Sequence, residues 1–534
     1  MAQHSQTGTG VTRQTINVFN VLILIFVGLG SLSFGYSASV IGITLGQPSF
    51  LEYFALDMRP DAADLEATMN GLYQAGGVIG TLSLPIVADK YGRKAAITIS
   101  AILIIISGAF MAGSTNIGEF IFFRFISGAG SFMILAAVPI WMNEVVPSKI
   151  RGALVDIHAV LVVTGYTTAT WVGVGCYYWN DPHGRQWRVP FAIQVFFPLC
   201  LLAGLYWIPE SPRYFVMKGR VEEAKLILDK LHSDKSDPDS IYARSEFYQI
   251  QKQILIDRAL DSSWIHIIKK ASYRKRALLA IGTCGIIQCS GVLVINNYGP
   301  TFYQTLQYSE SKQLIYPGAW ITLGLGMNFL AMFAVDRFPR QKYMAFGMAG
   351  CMICLAAEAA IVAVYVPSTN TAALKAGVAM LFVFQVFFSF FLDGTQFSYL
   401  GELFPTHLRA KGICLGCATN ALMNIILLQS APVAFITIGW KFYLVLIVPG
   451  TIGTIVMWFL FPNTKGLPLE EIAAIFGDTD EVAIYQIEVD HNTLAIGDHH
   501  NKGVGADNKD KAHQTISKDI GIIELGRVDQ DKYV

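Results

Sequence analysis

Two motifs of charged residues occur twice along the chain, in the same order and with the same spacing. In the first motif an aspartate precedes an arginine by four positions, and in the second a Glu-x-x-Pro begins seven positions before an arginine. The residues are Asp89 and Arg93, Glu144 and Arg151, Asp336 and Arg340, and Glu402 and Arg409. Exposed ion pairs contribute little singly, but a network held between two rigid bodies can bias one conformation over another. We therefore expect these residues to form a charge network that gates a conformational change.

A second set of ionisable residues lies inside apolar stretches. Arg124, His158, Glu358 and Asp393 are each embedded among aliphatic and aromatic residues. Ionisable groups at membrane depth are costly and are usually retained for function. Arg124, His158 and Asp393 are therefore candidates for substrate contact or proton transfer, whereas Glu358 has the alternative of snorkelling to the interface from a position near a helix end.

The composition supports a membrane location for all of these residues. Of the 534 residues, 53% are hydrophobic and 15% are charged, with a mean hydropathy of +0.45; soluble domains carry about 25% charge. Lys plus Arg and Asp plus Glu both number 39, so the basic footprint of a nucleic-acid-binding protein is missing. The eight cysteines lie in or beside apolar stretches without the further ligands of a zinc site. We expect the bilayer as a partner, and no nucleic acid, metal or cofactor.

Apolar segments long enough to cross a bilayer recur twelve times. They lie near residues 18–42, 68–88, 94–113, 117–140, 152–174 and 191–209, and then near 276–303, 314–335, 343–366, 374–400, 412–437 and 440–461. The charged motifs follow the second and fourth segments and recur after the eighth and tenth. The sequence therefore predicts an all-α membrane protein with twelve transmembrane helices in two pseudo-symmetric bundles of six. Two similar halves suit a transporter whose site opens alternately to either side.

Basic residues alternate between successive loops and predict the orientation of the chain. They place both termini on the cytoplasmic side of a multi-pass protein, which we expect in the plasma membrane. We predict an N-terminal tail (1–17), an N-terminal bundle (18–209), a cytoplasmic helical linker (210–275), a C-terminal bundle (276–461) and a cytoplasmic tail (462–534). The tail mixes charged residues and glycine with few aromatic residues, which is typical of disorder.

Further motifs occur in a fixed order between about Phe34 and Ile472. They are Arg124-x-x-x-Gly128-x-Gly130, Pro139-x-Trp141-x-x-Glu144, Trp187-Arg188-Val189-Pro190, Pro209-Glu210-Ser211-Pro212-Arg213 and Phe461-Pro462-Asn463-Thr464-Lys465-Gly466. Together they resemble the motifs of the sugar porter family of the major facilitator superfamily. The resemblance implies two six-helix bundles around a central cavity. It also implies a secondary transporter that moves a sugar-like or other hydroxylated small molecule by alternating access.

The positions that bind sugar in this family are altered here. The fifth-helix His-Gln pair reads His158-Ala159, the seventh-helix pattern keeps one glutamine, Gln288, and the tenth-helix tryptophan is Phe397. The resemblance implies that the substrate contacts are Gln288, Asn296, Asn297, Asn424, His158 and Phe397. Since each unpaired buried polar group costs about 1–3 kcal/mol, the losses favour a substrate larger or less polar than glucose. The alternative, that Asn296 and Asn297 restore the lost contacts, stays open.

Energy coupling is left with two alternatives. Proton-coupled relatives carry Phe-Gly-Tyr-Asp in the first helix, near the fourth-helix arginine, whereas this chain has Phe34-Gly35-Tyr36-Ser37 and retains Arg124. Serine does not take up a proton at physiological pH, which favours facilitated transport. The other alternative is transport coupled to protons as a co-substrate. In that case Asp393 or His158 would carry the proton in place of the missing first-helix aspartate, and Arg124 would keep its part in the coupling.

Other classes of function are weakly supported. No nucleophile, metal cluster or acid pair stands in motif context, and no Gly-rich nucleotide loop is present, so we expect neither an enzyme nor an ATP-driven pump. Two alternatives keep the same scaffold. One is transport or export of a larger, less polar secondary metabolite, and the other is a nutrient sensor that does not transport.

Overall fold

The computed structural model describes residues 18–145, 151–179, 181–232, 263–306, 308–365 and 371–465, with residues 247, 250, 251, 254, 472 and 475–477. Both predicted terminal tails fall largely outside these residues. The disorder of the C-terminal tail and the boundaries of the five segments therefore stay predictions.

The first half of the chain is helical because apolar segments in a bilayer must satisfy their backbone hydrogen bonds internally. Its helices are α1 (Val18–Val27), α2 (Leu29–Thr44), α3 (Pro48–Tyr53), α4 (Ala62–Tyr91), α5 (Arg93–Gly113), α6 (Ile117–Val145), α7 (Arg151–Tyr178), α8 (Arg188–Gln194) and α9 (Phe196–Leu205). α4 extends beyond the predicted segment and carries Asp89 in its last turn. It stops at Gly92, whose φ of 102° ends the helix.

Short helices follow the first half. They are α10 (Pro212–Met217), α11 (Val221–His232) and α12 (Trp264–Lys269). Ser211 caps α10 by accepting a hydrogen bond from the Tyr214 N–H at 3.4 Å, and Pro212 occupies the first helical position. Apolar side chains of α10 and α11 form a small cluster of their own, and Leu231 of α11 packs into the core of the first half.

The second half repeats the pattern of the first. Its helices are α13 (Ala271–Gln288), α14 (Val292–Asn297), α15 (Gly299–Thr305), α16 (Glu310–Ala331), α17 (Arg340–Tyr365), α18 (Thr371–Phe388), α19 (Gly394–Leu403), α20 (Thr406–Thr437) and α21 (Phe442–Leu460). A π-helical turn, Ser389–Asp393, joins α18 to α19.

The seventh predicted segment is divided into α13, α14 and α15. Gly291 has a φ of 73°, a left-handed conformation that glycine adopts without steric cost, and α14 begins directly after it. Eleven other helical segments of the described chain are long and apolar enough to cross a membrane. With the divided seventh segment, they make up the predicted twelve, and the all-α membrane fold is confirmed.

Close helix packing holds the first half together. Gly128 of α6 lies against α4, where an added Cβ would come within 1.8 Å of the backbone oxygen of Tyr73. Small residues permit this approach in membranes, where packing replaces the hydrophobic effect as the force between helices.

The two halves meet along α4 and α20 and at both ends of the molecule. We name the end that carries Asp89, Glu144 and Glu402 the motif end, and the other the opposite end. At the opposite end the Asn70 side chain donates to the Tyr298 hydroxyl at 3.0 Å, linking α4 to the turn between α14 and α15. Nearby, Trp171 Nε1 of α7 donates to Thr322 Oγ1 of α16 at 2.9 Å. These contacts bring the halves together at the opposite end.

Candidate functional site

The first charged motif forms a compact cluster at the motif end. Arg93 opens α5, and its guanidinium binds Glu144 of α6 through Nε at 2.9 Å and Nη2 at 3.0 Å. Its Nη1 donates to the Ala88 carbonyl at 3.0 Å and lies 3.4 Å from Asp89. The Ser211 hydroxyl donates to the second oxygen of Glu144. We name Asp89, Arg93, Glu144 and Ser211 the first motif cluster.

The second half contains a matching cluster. Arg340 Nη2 lies 3.2 Å from Glu402, and its Nη1 donates to the Val335 carbonyl at 2.7 Å, five residues earlier, as in the first half. The Thr464 hydroxyl donates to the other oxygen of Glu402 at 2.6 Å. We name Arg340, Glu402 and Thr464 the second motif cluster. The charged motifs are therefore repeated in the structure as well as in the sequence.

The two hydroxyl residues were not among the predicted gate residues. Each follows the sixth or twelfth helix in a Pro-x-Ser or Pro-x-Thr sequence, and that parallel was the signal available. A second parallel supports it: Trp141 donates to the Pro209 carbonyl at 3.2 Å, and Tyr399 donates to the Pro462 carbonyl at 3.1 Å. Ser211, which follows the first half, thus helps to hold the Glu144 side chain in place, and Thr464, which follows the second half, does the same for Glu402.

The predicted single network is seen only in part. The described ion pairs of the two motif clusters each join residues of one half. The side chains of Arg151 and Asp336 lie outside the described residues, and Arg409 is half-buried near the start of α20. The role of these residues as a gate therefore stays a prediction.

Glu210 distinguishes the first motif cluster from the second. Its carboxylate accepts the backbone N–H of Arg93 at 3.2 Å and that of Lys94 at 3.0 Å, at the positive end of α5. Burial raises the pKa of Glu210, and the N–H groups of Ser211 and Lys94 oppose that rise. Asn463, which carries no charge, occupies the corresponding position of the second half.

A central cavity lies between the two halves, and the space among its lining atoms, with its open solvent included, is about 790 Å³. The first half contributes a wall that is apolar except for His158 and the Tyr166 hydroxyl: Phe34, Phe132, Leu135, His158, Ala159, Val162, Val163 and Tyr166. The second half contributes the amides and an acid, Gln288, Asn296, Gln385, Asp393, Gln396 and Asn420, together with Val292, Leu293, Trp320, Ile321, Phe388 and Phe397. The cavity therefore has one apolar and one polar wall.

Four of the six predicted substrate contacts line this cavity. Gln288 and Asn296 lie on the polar wall, and His158 faces Phe397 across the two halves. The His158 and Phe397 rings meet edge to face with centroids 6.5 Å apart. His158 Nδ1 lies 2.6 Å from the Ser31 hydroxyl, which fixes the imidazole.

The other two predicted contacts lie elsewhere. Asn424 is buried one turn from the cavity and donates to the Asn420 side chain at 2.7 Å, so Asn420 occupies the lining position. Asn297 lines a second cavity of about 580 Å³ at the opposite end, and its side chain donates to the Leu293 carbonyl at 2.9 Å. Of the six predicted contacts, only the four that line the central cavity are therefore placed to touch a ligand there.

Two glutamines of the polar wall, Gln385 and Gln396, were missed by sequence reasoning. Neither stands in a motif, but a glutamine within a membrane helix is itself a signal of function. Gln288, Gln385 and Gln396 are only 3%, 2% and 3% exposed. Their amide oxygens have no hydrogen-bond partner among the described residues. Unpaired buried acceptors are costly, so the polar wall is suited to a ligand that donates hydrogen bonds.

Asp393 ends the π-helical turn and lines the central cavity. The turn places it where Asn328 of α16 donates to its carboxylate at 2.9 Å. π-Helical turns occur frequently at functional sites because they redirect side chains. No lysine or arginine lies among the described residues that line the cavity.

Arg124 is fully buried away from the central cavity, so the structure does not bring it together with Asp393. Its guanidinium lies 4.1 Å above the Tyr73 ring and donates to the Ser37 carbonyl at 3.2 Å. The Ser37 hydroxyl lies 2.9 Å from those of Ser127 and Ser131. Ser37 thus joins a hydroxyl cluster beside Arg124.

Metal-binding geometry is absent from the described part of the chain. It contains no group of three or more His, Cys, Asp or Glu side chains placed to hold an ion. The eight cysteines are free thiols, and seven of the eight lie buried among apolar helices.

Comparison with known proteins decides the family. Residues 23–476 match the family described as sugar (and other) transporter. The chain belongs to this family. The MFS-type transporter criB of Aspergillus cristatus is 29% identical over 456 residues, covering 85% of this chain and 92% of that protein. The high-affinity glucose transporter of Kluyveromyces lactis is 27% identical over 483 residues, covering 86% of each chain.

Solved structures show the same fold. The MFS proton:xylose symporter XylE bound to 6-bromo-6-deoxy-D-glucose superposes with a TM-score of 0.74 at 23% identity, covering 86% of this chain and all of that one. The predicted major facilitator fold is confirmed. The protein is a multi-pass membrane protein and a secondary transporter of the sugar type, as the resemblance implied.

Proposed function

We propose that this transporter carries a hydroxylated small molecule with one apolar face, by alternating access between its two halves. The observation that supports this substrate is the contrast between the walls of the central cavity. Substrate hydroxyl groups would donate to the unpaired amide oxygens of the polar wall, and the apolar face would rest on Phe34 and Phe132. A glucose transporter among the relatives and a sugar-bound solved structure of the same fold support a sugar-like solute.

Gln288, Asn296, His158 and Phe397 are the proposed direct contacts. Asn424 would act through Asn420, and Asn297 would meet the solute on its route through the opposite-end cavity. The two motif clusters, with Arg151, Asp336 and Arg409, would control exchange between states rather than affinity. Their distance from the central cavity supports this division of labour.

The proposed setting is the plasma membrane with both termini in the cytoplasm, since basic residues concentrate in the loops of the motif end. The motif end would then face the cytoplasm. Family members are transporters, and we propose no catalytic activity for this chain.

Facilitated transport is the proposed mode, because Ser37 and its hydroxyl neighbours provide no carboxylate beside Arg124. Proton coupling through Asp393 is the second candidate. It is favoured by one observation, the position of this carboxylate on the wall of the central cavity. His158 is a weaker proton carrier, since its Nδ1 is engaged by Ser31.

Counterflow with the purified transporter in liposomes tests the proposed function. Liposomes loaded in turn with a hexose, a pentose, a polyol, a cyclitol acid and a hydroxylated amine are diluted into the matching radiolabelled solute. We expect transient accumulation for at least one class and none in protein-free liposomes. A folded, monodisperse protein that exchanges none of these solutes would contradict the proposal and favour the sensor alternative.

The mode of transport is tested with the same liposomes under an imposed pH difference. Facilitation predicts that the solute only equilibrates. Uphill accumulation that a protonophore abolishes would instead establish proton coupling. The variant Asp393→Asn should then lose accumulation while retaining counterflow if this carboxylate carries the proton.

A further inference from the structure

Two of the described cavities between the two halves contain acidic side chains, and none of the described cavities is lined by a lysine or an arginine. Asp393 lines the central cavity, and Asp57 and Glu66 line the cavity at the opposite end. A smaller cavity towards the motif end, of about 250 Å³, is lined by neutral residues that include Asn328, the partner of Asp393. A route lined by charge of one sign concentrates solutes of the opposite sign.

The unpaired polar atoms of the central cavity point to the same kind of ligand. Among the described lining residues, the buried side-chain atoms without a partner are the amide oxygens of Gln288, Gln385 and Gln396, and all three are acceptors. Asp393 adds further acceptor capacity when ionised. A ligand that only accepts hydrogen bonds would leave this wall unsatisfied, whereas an ammonium group offers three donors and no acceptor.

Aromatic and aliphatic side chains form the remaining surface of the central cavity. Six rings line it: Phe34, Phe132, Tyr166, Trp320, Phe388 and Phe397. The face of an aromatic ring attracts a cation, most strongly where water is excluded. A carboxylate among aromatic rings, with no lysine or arginine among the described lining residues, is therefore suited to an organic cation.

We propose that the transported molecule carries a protonated amine, which Asp393 and the aromatic walls recognise, beside the hydroxyl groups that meet the glutamine oxygens. The substrate class is then a hydroxylated amphipathic amine rather than a neutral sugar. This inference rests on the proposed transport function and deepens it. Asp57 and Glu66 would attract the cation at the opposite end before or after it occupies the central cavity.

Equilibrium binding of two matched probes tests the proposal. Tyramine and tyrosol share a phenol ring and a two-carbon chain, and they differ in ending with an ammonium or a hydroxyl group. We expect the purified transporter at pH 7 to bind tyramine at least about tenfold more tightly than tyrosol. The variant Asp393→Asn should reduce this ratio to about one while keeping the affinity for tyrosol.

A second buried carboxylate provides the matched control. Glu358 of α17 is 1% exposed and lines none of the described cavities, so Glu358→Gln should leave the preference for tyramine unchanged. Equal binding of the two probes, no tyramine binding at millimolar concentration, or a preference that survives Asp393→Asn would each overturn the proposal. Because the readout is binding, such a result leaves the counterflow test intact, and a failure of counterflow for every solute would refute transport separately.

Discussion

The two halves of the transporter are alike at the motif end and unlike at the central cavity. Arg93 with Glu144 and Arg340 with Glu402 form clusters with matching contacts, each completed by a hydroxyl residue that follows its half. Around the cavity, one half supplies rings and aliphatic side chains, and the other supplies amides and Asp393. We propose that a movement shared by both halves keeps the duplicated clusters similar, whereas the proposed ligand with two unlike faces would require unlike walls.

The helices that begin each half differ in the same sense. The first segment is divided into α1 and α2 at Gly28, which keeps a helical φ of −59°, while the corresponding segment of the second half breaks at Gly291 with a φ of 73°. The break separates α13, which ends with Gln288, from α14, which carries Asn296 beside the cavity. The polar wall thus depends on a local interruption that the apolar wall does not need.

The largest effect is expected from breaking the first motif cluster. Arg93→Ala would leave Glu144 largely buried without its cation, which costs about 3 kcal/mol, so the exchange rate should fall about a hundredfold. Arg340→Ala should cost less, about tenfold in rate, because the Glu402 side chain is 26% exposed and that of Glu144 is 14% exposed. Counterflow rates and equilibrium binding measure the two effects separately.

Affinity should change by no more than a few-fold in both variants, and Arg409→Ala should follow the same pattern. Arg59→Ala is the control, since Arg59 pairs with Asp61 on the surface of the opposite end. A large loss of affinity at a normal exchange rate would assign these residues to substrate binding instead.

The motif clusters show what sequence reasoning can reach in this fold. Arg93 and Glu144 were identified because their types and spacing recur, and repetition needs no three-dimensional information. Ser211 was missed because it is 67 residues from Glu144 in the chain, and only the fold brings them together. At the cavity, the prediction named Asn424, whereas the structure places Asn420, one helical turn away on the same face, at the lining position.

Removing the break in the second half should have the next largest effect. At Gly291 the positive φ would destabilise an alanine by about 1–2 kcal/mol. The alanine Cβ would also lie only 2.6 Å from Leu446 Cδ1. Gly291→Ala should therefore destabilise the transporter by about 2 kcal/mol, measured as a lower thermal midpoint. Gly285→Ala is the matched control, because its Cβ would find only Met423 Cγ, at 3.9 Å, and should be neutral or stabilising. An unchanged midpoint for Gly291→Ala would show that the break is not required.

The polar wall is tested next by Gln288→Ala. Loss of one hydrogen bond to the substrate should weaken binding by about 1–1.5 kcal/mol, or roughly tenfold. Thermal stability of the ligand-free protein should be unchanged or higher, since the variant removes a buried oxygen without a partner. Asn424→Ala should weaken binding only about threefold, because it acts through Asn420. Misfolding of Gln288→Ala with intact binding would assign this glutamine to helix packing.

The smallest predicted effect is a difference between the two otherwise matched motif clusters in how thermal stability depends on pH. Burial raises the pKa of Glu210 above its ordinary value of 4.5, so the folded protein holds this proton more tightly than the unfolded chain. Its contribution to stability is therefore fully present below pH 4.5 and is lost as the pH rises through the raised folded value. Glu210→Gln removes that contribution, so the wild-type midpoint should decline relative to the variant across this window, by on the order of 1 °C. Asn463→Gln in the second half should leave the pH profile unchanged. A relative midpoint that rises with pH would mean that the N–H groups at the start of α5 outweigh burial.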